Sequence, residues 1–243
     1  MNHIIPEWPA PAHIGALTTT RIGGESHSPY DSNNMALHVG DNPEYVRANR
    51  ANLIQELNLP SEPEWLNQQH TNDCVVVEKD DSRTADAAVT RDAKRPLAVM
   101  TADCLPILLC DRKGTEIATI HAGWRGLADG VIENTLKKMN NQPAALIAWI
   151  GPSICGVCYE VGEDVMAAFA RAYPNMRKGF NQQGGRWYAD LPLLAKLIMS
   201  EQGLNAVYTS GACTKEDDKH FYSYRRDGET GRMATLIWFK QDK

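Results

Sequence analysis

Between residues 65 and 121 the chain passes through five short apolar runs, "DCVVVE", "ADAAVT", "PLAVMT", "LPILLC" and "EIATIHA", each broken off by a polar turn. Runs of this length, rich in Val, Ile and Thr, are the signature of strands. They are clustered rather than regularly alternated with helices, so a single α+β domain over residues 1–243 is favoured over a βαβ repeat. Helical patterns flank them. "DNPEYVRANRANLIQELNL" predicts a helix with Asp41 at its cap and Pro43 and Glu44 in its first turn. "WRGLADGVIENTLKKM" carries Leu127, Val131, Thr135 and Leu136 at helical spacing and predicts one more. "GEDVMAAFARAY" and "DLPLLAKLIMSEQG" are further helices, the latter with Asp190 capping and Pro192 in the first turn. "AALIAWIG" and "MATLIWF" add buried strands, whereas the first 40 residues are loop-heavy, "RIGGESHSPYDSNN" being turn chemistry throughout.

Charge and hydropathy exclude several partners. A net charge of -5 gives no electrostatic footing for nucleic acid or an anionic membrane. No apolar run approaches the roughly 20 residues that span a bilayer. The opening "MNHIIPEWPAPAHIGAL" lacks a basic segment followed by an apolar one, so no signal peptide is expected and a cytoplasmic address follows. The six cysteines are then thiols rather than a disulfide framework. "CGVC" at 155–158 has no evident helix after its first cysteine and no second cysteine pair to complete a structural zinc site. Cys155 and Cys158 therefore read as loop thiols.

His70 closes "WLNQQH", His121 closes "EIATIH", and Cys104 in "VMTADCLP" lies where another apolar run breaks. Three such donors at three strand ends can converge on one sheet edge. Two imidazoles and a thiolate suit Zn²⁺ with a fourth position open, the arrangement of catalytic zinc. The same residues also allow a Cys104–His121 nucleophile–base pair, which does not require His70, or simply a packed cysteine and two satisfied histidines. After His121, "HAGWRGLADG" runs from strand to helix, and free N–H groups at the helix start beside Arg125 form an anion pocket. The alternative is that Gly123 and Gly126 only permit a tight turn. No His-x-Glu, as in zinc deaminases, and no His-x-His, as in copper clusters, occurs. Near the C-terminus Arg225, Arg226 and Arg232 are candidates for a substrate anion, set against a plain polar hairpin.

In order along nearly the whole chain, "TTTRIGGES", "NNMALHVGDNP", "LNQQH", "TADCLP", "HAGWRG", "GPSI…CYEVG" and "FYSYRRDGETGRMA" resemble the YfiH-like, laccase-domain family. Its members are described as polyphenol oxidases and later as purine nucleoside phosphorylases. The resemblance implies an α/β/β/α layered sandwich, two packed mixed β layers flanked by helices. It also implies metal ligands at His70, Cys104 and His121, with zinc as the metal and copper as the alternative. Its substrates would be adenosine, inosine, guanosine and S-methyl-5′-thioadenosine with phosphate, and adenosine deamination is a further activity. Within the matching motifs Arg21, Asn34 and Arg225 join Arg125 as candidate substrate- or phosphate-binding residues. A homodimer stays open, as do two rival activities: an amidase editing peptidoglycan precursors and a copper-dependent polyphenol oxidase. A partner-binding module with a structural His₂Cys site is a further reading, weakened because three ligands leave zinc coordinatively open. Two departures from the family pattern stand out. Met35 replaces a leucine, an apolar exchange, and Thr71 replaces a glycine, which predicts a narrower mouth near His70.

Overall fold

In chain order the strands are β1 (His3–Ile4), β2 (Ile14–Thr19), β3 (Glu64–Trp65), β4 (Cys74–Val76), β5 (Ala87–Thr90), β6 (Leu97–Thr101) and β7 (Leu105–Asp111). They continue with β8 (Ile117–Ala122), β9 (Leu146–Ile150), β10 (Glu160–Val161), β11 (Phe180–Gln183), β12 (Arg186–Ala189), β13 (Val207–Thr209) and β14 (Met233–Phe239). The helices are α1 (Pro43–Leu57), α2 (Trp124–Ala128), α3 (Val131–Lys138), α4 (Glu163–Ala172), α5 (Leu191–Glu201) and α6 (Tyr224–Asp227). The computed structural model describes residues 3–241; Met1 and Asn2, the start of the segment expected to lack a signal, lie outside them.

Two mixed sheets form the centre, ordered β1-β2-β14-β6-β3 and β13-β9-β7-β8-β5-β4. Their alternation explains the uninterrupted apolar runs. Along β7, Ile107 and Leu109 pack towards the helices, while Leu108 and Cys110 pack towards the other sheet. Along β14, Ile237 and Phe239 meet that inter-sheet core, whereas Leu236 and Trp238 face the layer carrying Leu53 of α1. A strand buried on both faces has no polar side to show, so it reads as a continuous run. On the far face of the six-stranded sheet, Leu127, Val131, Phe169 and Ile198 of α2 to α5 close the molecule. The order of layers is helix, sheet, sheet, helices: the expected α/β/β/α sandwich.

Several local expectations are corrected. The cap of α1 is Asn42, whose side chain accepts from Glu44 N; Asp41 instead accepts from Asn42 N and from the Asn34 amide. The segment after His121 is two helices, because Gly130 turns left-handed at φ 90 between α2 and α3. "IGALTT" is a full strand, β2, inside the stretch expected to be loops. An additional sheet, β10-β12-β11, built around a polar hairpin, had no apolar pattern to announce it.

Candidate metal and substrate site

Register alone makes Cys104 and His121 neighbours. β7 and β8 pair antiparallel with Leu105 opposite Ala122 and Pro106 opposite His121, so the residue just before β7 lies beside the end of β8. His70 does not end a strand as expected. β3 stops at Trp65, and His70 arrives on the following loop with φ 60, a left-handed conformation that a non-glycine residue adopts only when its surroundings impose it.

The imposing group is Asp86, fully buried ahead of β5. Its carboxylate accepts from Gln69 N at 3.1 Å, His70 N at 3.0 Å, Thr71 N at 2.7 Å and the Thr71 hydroxyl at 3.0 Å. His121 Nδ1 lies against the same carboxylate at 2.7 Å, and His121 N donates to the Asp86 carbonyl. One side chain thus fixes the loop bearing His70 and the ring of His121. The result is a group of donors, one each from His70, Cys104 and His121, all within 4.8 Å of one another. His70 Nε2 stands 3.9 Å from Cys104 Sγ, and the two imidazoles meet edge to face with centroids 4.8 Å apart.

Electrostatics follow from this packing. Burial alone would raise the Cys104 thiol, but the two imidazoles outweigh it and bring it down to about 6. Burial would likewise lower His121, yet the Cys104 thiolate and Asp86 raise it to about 9. Asp86 resists its own desolvation through His121 and the loop N–H groups and falls to about 2. The donor set fits a zinc ion: two imidazoles and an ionised thiol, with His121 Nδ1 taken by Asp86 so that Nε2 is left for the cavity. A blue-copper site would also want an axial thioether, and the sulfur of nearby Met100 is instead approached by Arg50 Nη2 at 3.6 Å. Gly123 makes the closeness possible, since a Cβ there would stand 2.9 Å from His70 Cδ2 and 3.2 Å from Cys104 Sγ.

The three donors open into a cavity of about 330 Å³ also lined by His38, Gln68, Tyr224 and Arg232. Of the arginines considered, Arg232 is the one in its wall. Burial lowers its pKa, opposed by Cys104 and Asp103, and its guanidinium lies over the Tyr224 ring with Cζ 5.9 Å from the centroid. Arg125 is exposed, stacks on Trp124 at 4.5 Å and is not among the lining residues. Arg225 donates to the Glu160 carbonyl and lies over Tyr159, outside the lining as well. Arg21 is spent on the carbonyls of Asp31 and Asp218, and Asn34 is buried holding Ala36, Asp41 and Arg232 N. Neither lines the cavity, and only Asn34 touches its wall, through Arg232 N. Thr71 turns its hydroxyl to Asp86 and does not line the cavity, so the expected narrowing near His70 is absent. His38, Gln68 and Asp86 were missed in the sequence. For Asp86 a signal existed: a carboxylate inside an apolar strand-like run must be paired.

The sequence pattern of the family described as multi-copper polyphenol oxidoreductase laccase matches residues 15–240. The chain belongs to this family. Among its laccase-family relatives, the purine nucleoside phosphorylase YfiH of Escherichia coli (strain K12) is 44% identical, the match covering 97% of this chain and 98% of that one. A purine nucleoside phosphorylase of Pseudomonas aeruginosa is 44% identical, with 98% of both chains covered. The crystal structure of a Neisseria meningitidis family protein superposes with a TM-score of 0.94 at 45% identity, covering 99% of this chain and 100% of that one. Membership of a laccase-like family implies metal binding, in keeping with the His₂Cys group. Among the described residues no helix is long and apolar enough to cross a membrane.

Proposed function

We propose that the chain is a zinc-dependent purine nucleoside phosphorylase working at the His70–Cys104–His121 cavity. The observation that carries this reading is the convergence of those donors beneath Arg232, in a chain matched end to end by relatives named for that activity. Phosphorolysis needs a bound phosphate whose oxygen attacks C1′ of the ribose while the bond from C1′ to the purine nitrogen breaks. Arg232 is the cation suited to hold that phosphate, with a guanidinium fork that matches its oxygens. His38, its pKa lowered by burial and then by Arg232 and Arg50, stays a neutral imidazole near pH 7 and can hydrogen-bond the ribose or base. Tyr224, exposed at the mouth, offers a face on which a purine can stack. When bound, zinc would supply Lewis-acid polarisation and bring the pKa of a water down towards about 7, the chemistry on which adenosine deamination draws. Adenosine, inosine, guanosine and S-methyl-5′-thioadenosine are the proposed substrates, and the cytoplasm the proposed location.

One observation favours a second reading. Cys104, His121 and Asp86 are arranged as nucleophile, base and orienting carboxylate, and the thiol is already acidic. A thiol hydrolase, for instance one cleaving an amide of a cell-wall precursor, would use this trio without His70. The test assays His70→Ala and Cys104→Ser on adenosine and inosine with and without phosphate, and on muropeptides, with zinc measured on each. We expect both variants to lose zinc and purine turnover together, with base and ribose 1-phosphate formed by the parent only when phosphate is added. A metal-free His70→Ala protein that still turns over would end the zinc reading.

A further inference from the structure

The turn Cys155–Gly156–Val157–Cys158 takes no part in the cavity above, and the sequence offered no second cysteine pair to partner it. Folding supplies one of a different kind. Cys158 N and Tyr159 N both donate to the Cys155 carbonyl, at 3.0 and 3.1 Å, winding the first pair into a single turn. Ser153 and Cys213 form an isolated parallel bridge, with Ser153 N donating to Ala212 O and Thr214 N to Ser153 O. That bridge brings up a second turn, closed by Asp217 N donating to Cys213 O, which carries Cys213 and Glu216. Each turn spaces its two donors by two residues, C-x₂-C against C-x₂-E.

We propose that Cys155, Cys158, Cys213 and Glu216 form a second, structural zinc site. Their ligand atoms all lie within 4.8 Å of one another. Cys155 Sγ is 3.8 Å from Glu216 Oε2, and Cys155 N donates to Cys213 Sγ at 3.3 Å. Four protein donors on two x₂ turns make a closed, tetrahedral set, unlike the open three-donor set at His70. Three soft sulfurs and one carboxylate select zinc over magnesium or calcium. A thiol that coordinates zinc gives up its proton to solvent.

The position assigns the ion a task. Ile154, next to Cys155, donates its N–H to the Asp103 carbonyl at 3.0 Å, and Thr214, next to Cys213, donates its hydroxyl to the Asp103 carboxylate at 2.7 Å. Asp103 has φ 96 and immediately precedes Cys104. Zinc at the four-donor cluster staples the two loops that hold Asp103 in this conformation, and so steadies Cys104 from behind.

The experiment first removes the other site. The His70→Ala/Cys104→Ser protein, purified under reducing conditions, is equilibrated with Zn²⁺, freed of loose metal by gel filtration, and analysed for zinc and by X-ray absorption at the zinc edge. Retention of about one zinc per chain, with three sulfurs and one oxygen in its coordination sphere, is expected. Adding Cys213→Ser should abolish it. Adding Glu216→Gln, at an exposed residue, should weaken it at least about tenfold in chelator competition. Zinc-free double variant, zinc retained after Cys213→Ser, or a Cys155–Cys158 disulfide in alkylated protein would each overturn the proposal. Because the purine-site ligands are already gone, none of these results depends on the function proposed above.

Discussion

Replacing Asp86 with Asn keeps the shape and removes the charge, and the consequences divide into two measurable parts. One carboxylate oxygen accepts from His70 N and faces His121 Nδ1; the other accepts from Gln69 N, Thr71 N and the Thr71 hydroxyl. An amide has one acceptor oxygen. Placed towards Thr71 it keeps three bonds and turns its NH₂ group against two donors. Two hydrogen bonds to a charged group are worth about 1.5–3 kcal/mol each, so the metal-free variant should lose about 3–6 kcal/mol. That is a large part of the roughly 5–15 kcal/mol that holds a domain together. The second part concerns the ring. With an NH₂ facing Nδ1, His121 does best by accepting there and carrying its proton on Nε2, the nitrogen required by a metal. Zinc affinity should then fall about 10–100-fold. Urea unfolding of metal-free protein measures the first effect and chelator competition the second. Thr71→Val is the control, because it takes one bond from Asp86 and none from His121, and should cost stability while leaving zinc affinity unchanged. Should Asp86→Asn lose stability and still bind zinc as the parent does, Asp86 only holds the loop, and the tautomer argument is refuted.

Arg232→Ala should raise the KM for phosphate about 10–100-fold, the loss of one charge-assisted contact, while Arg125→Ala has a smaller effect; steady-state kinetics giving the reverse order would return the anion site to the start of α2. Gly123→Ala puts a Cβ 2.9 Å from His70 Cδ2 and 3.2 Å from Cys104 Sγ, so the ligands must part and zinc binding weaken, at an overpacking cost of about 1–3 kcal/mol. Wild-type zinc affinity in that variant would show that the donors have slack. Glu64 is opposed by burial but held below its usual range by Arg83 and Arg95. A depressed carboxylate stabilises the fold above its unfolded value near 4.5, and that contribution is lost as pH falls through the folded value. Unfolding curves across the acid range should therefore be flatter in Glu64→Gln, and an unaltered slope would contradict this.

The sandwich was legible because its strands are buried on both faces, and burial on both faces leaves a plain apolar run in the sequence. What escaped lies at the edges. β2 begins with Ile14 and Gly15 next to turn-rich sequence, and the β11–β12 hairpin, "FNQQGGRWYA", is largely polar and exposed. The convergence of His70, Cys104 and His121 was foreseen from breaks in apolar runs, and for Cys104 and His121 the β7–β8 register explains why that worked. His70 comes to the same group on a carboxylate-held loop rather than from the strand end expected of it. Of the three C-terminal arginines the family motifs favour Arg225, yet it is Arg232 that lines the cavity. Only folding distinguishes it, because Asn34 fixes its backbone from the other end of the chain.

Asp86 and Asp103 belong to one design. Each is a buried aspartate whose oxygens gather N–H and O–H donors from separated segments, and each leads directly to the His₂Cys group, to His121 and His70 in the first case and to Cys104 in the second. A gathered carboxylate does not by itself mark a functional site. Glu116, also buried, collects Arg91, Asn140 N and Asn141 N with no metal-binding side chain among its partners. The difference lies in the strain that accompanies the other two. His70 at φ 60 and Asp103 at φ 96 hold left-handed backbone beside the cavity, whereas Glu116 braces only a turn and a helix end. Strain at a non-glycine residue costs of order 1–3 kcal/mol and persists only where other contacts over-determine it. In this protein the two aspartates are those contacts. The geometry they enforce sets an acidic thiol and two imidazoles side by side, an arrangement whose burial and mutual charge would not hold together on flexible loops.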